Sequence, residues 1–276
     1  MPNFAVASDA FKNTFRSWRL WLIQAIGTAA LFGLFVLWLW IPVATALQLT
    51  LNVVTAALFL AATLILQAGT LRFFATVDSE EDSGSVAAAF RSAMRRLPAF
   101  AVGAALLAAA WYFAGTTDRY EDTLPNYLRS ESPQFVRNLF SLHAYENLVE
   151  AGLFALQWII APALLLPFLA STASAGFSGF RRLGIVAWRT CVTNIFYWGV
   201  LAACAVIGVY ASGKIMDWTP NFQTSTLRHE SVSLLWRGTV AYFLILWAWL
   251  LACSMTGRLF GGPAGSGKDT AGQSAA

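Results

Sequence analysis

Charge is scarce in this chain and is missing from the centres of its long apolar stretches. Only 12% of the 276 residues are charged, against about 25% in soluble globular proteins. Hydrophobic residues make up 58%. Proton-driven transport and catalysis inside a bilayer usually depend on ionisable residues within the spans. The composition therefore predicts a polytopic membrane protein and argues against a proton-driven pump.

Cysteine and histidine are also few. The three cysteines, Cys191, Cys204 and Cys253, lie within apolar runs and do not have the spacing of metal ligands. We expect them to be inert packing residues rather than disulfide partners. With only two histidines besides, the sequence predicts no catalytic residue, no metal site and no cofactor.

The predicted fold class is all-α, a bundle of six transmembrane helices. A helical span needs about 20 predominantly apolar residues. The predicted spans are Leu20–Trp40, Leu47–Gln67, Leu97–Ala114, Leu148–Ala170, Cys191–Ala211 and Gly238–Thr256. They belong to one integral membrane domain (1–260) with an external segment (115–147), followed by a disordered cytoplasmic tail (261–276). The first run exceeds the roughly 7–15 residues of a signal-peptide core, so we expect a span rather than a cleaved leader.

The basic residues predict the orientation. With six spans, two thirds of the 18 lysines and arginines fall on the side of the N-terminus. By the positive-inside rule, both termini are then cytoplasmic. We expect membrane lipids with anionic headgroups as partners on that side, and a homo-oligomer or another membrane protein as a further partner. The net charge of +4 is explained by orientation and does not indicate nucleic-acid binding.

The sequence also suggests an internal repeat. A basic amphipathic segment precedes each odd-numbered span and opens with Phe11-Lys12, Phe90-Arg91 or Phe180-Arg181. Its cations are candidates for contact with lipid headgroups: Lys12, Arg16, Arg91, Arg95, Arg181 and Arg182. We interpret the chain as three units, each an interfacial helix followed by a transmembrane hairpin. The alternative is that cations and aromatics flank the spans of any membrane protein.

With Phe90-Arg91, Phe180-Arg181 and the order of hairpins, the chain resembles bacterial polytopic membrane domains, including the one attached to some glycerophosphodiester phosphodiesterases. The resemblance implies location in the bacterial cytoplasmic (inner) membrane. A phosphodiesterase domain is not part of this sequence, so that activity does not carry over.

A few polar residues are candidates for a site. His143, Glu146 and Glu150 share one helical face by spacing, as a metal or catalytic group would require. The alternative is an ordinary amphipathic helix, capped by Ser132, that leads into the fourth span. Three further candidates lie nearest the span interiors and either line a substrate path or form hydrogen bonds between helices: Asn52, Gln157 and Asn194.

Three function classes remain open. The first is a non-enzymatic membrane protein, a scaffold or a lipid-organising or assembly factor. The second is a transporter or channel for an apolar or neutral solute, with Asn52, Gln157 and Asn194 lining its cavity. The third is a lipid-modifying enzyme acting through His143, Glu146 and Glu150. Small residues predict close helix contacts at Ala101-Ala105-Ala109 and at Gly199-Ala203 with Cys204-Gly208.

Overall fold

The computed structural model describes residues 2–42, 44–76, 85–180, 182–219 and 227–261. Within these ranges the regular structure is entirely helical, and no strand is present. The predicted all-α class is confirmed.

The helices follow one another with short breaks. The first five are α1 (Pro2–Arg16), α2 (Trp18–Trp40), α3 (Ala46–Thr76), α4 (Val86–Met94) and α5 (Leu97–Thr116). A 3-10 turn (Thr117–Tyr120) then leads to α6 (Leu124–Glu131), α7 (Gln134–Leu139), α8 (Leu142–Ala155), a π-helical turn (Leu156–Ile160) and α9 (Ala161–Ala175). A second 3-10 turn (Gly176–Phe180) precedes α10 (Arg182–Val192), α11 (Ile195–Ala205), a π-helical turn (Val206–Ala211), α12 (Ser212–Asp217) and α13 (Leu227–Gly261).

Six of these helical segments are long and apolar enough to cross a membrane: α2, α3, α5, α8 with α9, α11 with α12, and α13. The number agrees with the sequence prediction. The fifth segment begins at Ile195 rather than at Cys191. The helix is interrupted there because the Asn194 side chain caps α11, accepting a hydrogen bond from the Phe196 amide at 3.0 Å.

Each odd-numbered span packs against the span that follows it. Thus α2 contacts α3, α5 contacts α9, and α11 and α12 contact α13. The second, fourth and sixth spans, which contain α3, α9 and α13, also contact one another. These three helices form the centre of the bundle. The buried core concentrates in their C-terminal halves and includes Ala68, Leu71, Phe74, Leu166, Ala170, Ala173, Leu250, Cys253 and Met255. We call this end of the bundle, where α1, α4 and α10 also lie, the basic end.

Small residues allow the central helices to approach closely. A Cβ atom added to Gly257 of α13 would lie 2.7 Å from the backbone carbon of Phe74 in α3. A Cβ on Gly69 would lie 2.6 Å from the ring of Phe90, which covers that glycine. A Cβ on Gly208 would lie 2.7 Å from the Cβ of Ala248 in α13, a close contact of the kind that the Cys204-Gly208 pair predicts. By contrast, Ala105, Ala109 and Ala203 are exposed, and among the described residues nothing lies within 4 Å of a Cβ added to Gly199, so the close contacts predicted at these positions are not made.

The segment 115–147, which the sequence predicts to be external, contains the two short helices α6 and α7. Ser132 is not the cap that its position predicts, because its hydroxyl donates to the Leu128 carbonyl at 2.6 Å. The helix that enters the fourth span begins later. Its cap is Ser141, whose hydroxyl oxygen accepts from the Ala144 amide at 3.3 Å.

The contact between α3 and α13 gives a direct test of the packing. We expect Gly257→Ala to destabilise the protein by about 1–3 kcal/mol, because its methyl group would have to displace backbone. The measurement is the thermal unfolding midpoint in detergent. Gly238→Ala is the matched control in the same helix, because nothing lies within 4 Å of the added methyl group. An equal midpoint for the two variants would contradict the close contact.

Candidate functional site

Three amphipathic helices cover the basic end of the bundle. α1 packs against α13, α4 against α3, and α10 against α9. In α1 and α4 the side facing the core consists of small residues: Ala10, Thr14, Ala89 and Ala93. The cations Lys12, Arg16, Arg91 and Arg95 are exposed. Arg181 and the side chain of Arg182 lie outside the described residues.

An arginine at the end of α13 fastens α1 to the bundle. The Arg258 guanidinium lies 4.0 Å from the Asp9 carboxylate. With the Asn13 amide oriented so that its oxygen faces this cation, the oxygen also accepts from Arg258 Nε at 3.0 Å. One turn earlier, Ser254 donates to the Ala10 carbonyl at 3.0 Å. These contacts hold α1 against the C-terminal part of α13.

Arg72 has the corresponding role at the end of α3. Its Nε donates to Ser92 Oγ in α4 at 3.0 Å, and its Nη1 donates to the Ser174 carbonyl in α9 at 2.7 Å. Ser92 follows Phe90 by two residues, just as Asn13 follows Phe11 by two. The two arginines therefore hold equivalent positions of two amphipathic helices.

The aromatic residues of α1 and of the start of α2 face outward. Phe11, Phe15 and Trp18 are exposed, although Phe11 also makes an edge contact with Trp247 at 6.1 Å between ring centroids. Beside these rings, Lys12 and Arg16 form a separate polar face. This arrangement of core face, aromatic face and cationic face suits a helix at a membrane–water boundary.

A lateral groove of about 350 Å³ runs between α2 and α3. We call it the α2–α3 groove, and its lining is Gly27, Ala30, Leu31, Leu34, Ala62, Ile65, Leu66 and Phe90. Every one of these side chains is apolar. The ring of Phe90, from α4, lines the part of the groove nearest the basic end.

A smaller cavity of about 200 Å³ lies between α9, α11 and α13, and we call it the central cavity. It is lined by Trp158, Pro162, Leu166, Leu201, Cys204, Ala205, Gly208, Val209, Ile245, Ala248, Trp249 and Ala252. Both π-helical turns contribute to the lining. The indole Nε1 of Trp249 is buried and has no hydrogen-bond partner among the described residues.

The structure places the three polar candidates of the spans apart from both cavities. Asn52 accepts a hydrogen bond from Trp38 Nε1 at 3.0 Å, which joins α3 to α2. Gln157 lies against Gly115 of α5, its Nε2 being 3.1 Å from the position of an added Cβ. Asn194 caps α11. Asn52 thus makes the hydrogen bond between helices that was one of its two predicted roles, whereas Asn194 makes a local bond within its own helix, which was not predicted.

His143, Glu146 and Glu150 lie on the protein surface. His143 Nδ1 is 3.1 Å from Glu146 Oε2, and their side chains are 78% and 52% exposed. Glu150 is also exposed. Among the described residues, no group of three His, Cys, Asp or Glu side chains is arranged to hold a metal ion. The pair is an ordinary surface contact between neighbouring helical turns.

Two buried polar residues were missed by the sequence analysis. Arg237 is 8% exposed, and its guanidinium donates to the Met216 carbonyl at 2.8 Å and to the Trp218 carbonyl. It ties α13 to the end of α12. Gln24 is fully buried in α2 and donates from Nε2 to Thr70 Oγ1 in α3. A glutamine within an apolar run was the available signal for the second.

The fold defines an α-helical membrane protein with six candidate spans. Comparison with protein-family models, with curated proteins and with solved structures found no match.

Cys191 gives a test of the packing at the basic end. Burial raises the pKa of its thiol to about 12, so the reactive thiolate is negligible near neutral pH. Cys204 and Cys253 are buried as well. We expect the folded protein to take up no N-ethylmaleimide at pH 7.5 and to take up three equivalents in sodium dodecyl sulfate, measured by intact mass. Thr190→Cys, at an exposed neighbouring position, is the control that should react without denaturant, and rapid labelling of Cys191 itself would contradict its burial.

Proposed function

We propose that this chain is a non-enzymatic lipid-organising protein of a bacterial cytoplasmic membrane, with both termini in the cytoplasm. The observation that carries the proposal is the surface of the basic end, where exposed cations and outward-facing aromatic rings lie side by side on α1 and further exposed cations lie on α4. Anionic headgroups are attracted to such cations, and the aromatic rings suit the boundary with the acyl chains.

The proposal includes three tandem units, each an interfacial helix followed by a hairpin. Support comes from the order of contacts, because the second span of each unit packs against the amphipathic helix of the next unit. α3 contacts α4, α9 contacts α10, and α13 returns to α1. The matching roles of Arg72 and Arg258 add to this support. A cyclic arrangement of this kind presents amphipathic helices all around one end of the bundle.

The charge distribution can be tested by removing two exposed arginines. Each cation near an anionic membrane surface contributes about 1 kcal/mol of attraction. We therefore expect the double variant Arg91→Gln, Arg95→Gln to retain severalfold less anionic relative to zwitterionic lipid than the unmodified protein. The measurement is the lipid composition of polymer-bounded nanodiscs extracted from the host membrane.

The matched control removes the same charge from the other end of the bundle. Arg129 and Arg137 are exposed on α6 and α7, and Arg129→Gln, Arg137→Gln should leave the anionic fraction nearly unchanged. Equal losses in both double variants would mean that net charge, rather than the basic end, determines lipid retention. If neither double variant loses anionic lipid, the proposed lipid-organising function is wrong.

A carrier or channel for an apolar solute is the second candidate, and the central cavity favours it. π-helical turns occur often at functional sites, and two of them border this cavity. Val209→Trp would fill the cavity from one of these turns. If the protein carries apolar solutes, it should speed entry of N-phenylnaphthylamine into proteoliposomes and this variant should abolish the effect, whereas entry at the rate of empty liposomes would exclude this function for that probe.

A further inference from the structure

The α2–α3 groove is held open by contacts at both of its ends. Toward the basic end, Gln24 donates to Thr70 one turn before the groove begins. Beyond the groove, Phe35 and Phe59 pack at 5.9 Å between ring centroids, and Trp38 donates to Asn52. Because contacts hold α2 and α3 together at both ends of the groove, the groove cannot close without breaking interhelical contacts.

The base of the groove is equally well defined. Gly69 carries no side chain, and the Phe90 ring occupies the space where a Cβ would stand, within 2.6–2.7 Å. This contact fixes the ring between α3 and the groove. The groove is therefore present before any ligand binds, which lowers the entropic cost of binding.

The groove is long enough to hold about two thirds of the hydrocarbon depth of one leaflet. Gly27 and Leu34 are seven residues apart, which corresponds to about 10 Å along a helix. One leaflet contributes about 15 Å of hydrocarbon. The groove opens toward the surroundings of the bundle, since Ala30 and Ala62 are exposed in its wall. An acyl chain is the ligand that the surrounding membrane supplies for such a slot.

Two exposed cations lie toward the basic end on the helices that supply the lining of the groove. Arg19 precedes Ile23 and Gly27 at intervals of four residues, so it lies on the groove face of α2 toward the basic end. Arg91 follows Phe90 in α4. Both arginines are exposed. Their charge is complementary to the phosphate of an anionic lipid, and arginine binds phosphate with several donors at once.

We infer that the α2–α3 groove binds one anionic phospholipid, with an acyl chain between α2 and α3 and its headgroup beside Arg19 and Arg91. The inference deepens the proposed lipid-organising function and rests on it for the orientation of the basic end. It differs from general attraction of lipids because it assigns a single retained molecule to a defined slot.

The test is native mass spectrometry of the purified protein in micelles containing phosphatidylglycerol or phosphatidylcholine with identical acyl chains. We expect one phosphatidylglycerol to stay bound preferentially. Ala30→Phe fills the groove and should lower this occupancy at least fivefold. Arg91→Gln should reduce phosphatidylglycerol to the level of phosphatidylcholine without removing the latter.

Ala29→Phe is the matched control, since Ala29 is an exposed neighbour in α2 that does not line the groove. It should bind lipid as the unmodified protein does. Unchanged phosphatidylglycerol occupancy in Ala30→Phe would overturn the inference, and so would an equal loss in Ala29→Phe. Thermal unfolding of each variant in the same micelles verifies that the compared proteins are folded.

The two proposals fail in distinguishable ways. If Ala30→Phe keeps its bound lipid while Arg91→Gln, Arg95→Gln loses the surrounding anionic lipid, the groove is not the site and the lipid-organising function stands. If Ala30→Phe loses the bound lipid while the surrounding lipid is insensitive to both arginines, the site stands and the broader function fails.

Discussion

The close approach of α3, α9 and α13 is the contact on which the rest of this structure depends. In lipid, apolar helices gain nothing from simple removal of water, so they associate through close packing and interhelical hydrogen bonds. Gly257 meets the backbone of Phe74, and Phe90 covers Gly69. Because the three central helices meet at one end, the terminal arginines of α3 and α13 lie there together with the amphipathic helices.

Arg72 and Arg258 connect the packed core to the amphipathic helices on its surface. Arg72 and Arg258 make hydrogen bonds and ion contacts to groups on α1, α4 and α9. The remaining cations of α1 and α4 stay exposed because their helices are already anchored by small buried residues such as Ala10 and Ala93. The same sequence segments thus provide both the attachment to the core and the charge that faces outward.

The number of spans and the amphipathic helices could be predicted because apolar length and periodicity are local properties of the sequence. Helix ends were less predictable: Asn194 and Ser141 end up as caps, which depends on which of several polar residues the chain uses. The grooves could not be predicted at all, since they arise where helices distant in sequence fail to fill space. Ala105 and Ala109 show the converse, because a stripe of small residues marks a packing face only if a partner helix reaches it.

The pair formed by α2 and α3 differs from the other spans in what surrounds it. In the most apolar windows of α2 and α3 only 11% of the residues are buried, compared with 50% in α13. Outside the basic end, α2 and α3 are joined by a few contacts such as that between Trp38 and Asn52. A pair of helices with so little protein around it must derive much of its packing from lipid. Lipid bound in the α2–α3 groove would therefore add contacts that the protein itself does not supply, and the stability of this helix pair would then depend on the composition of the membrane.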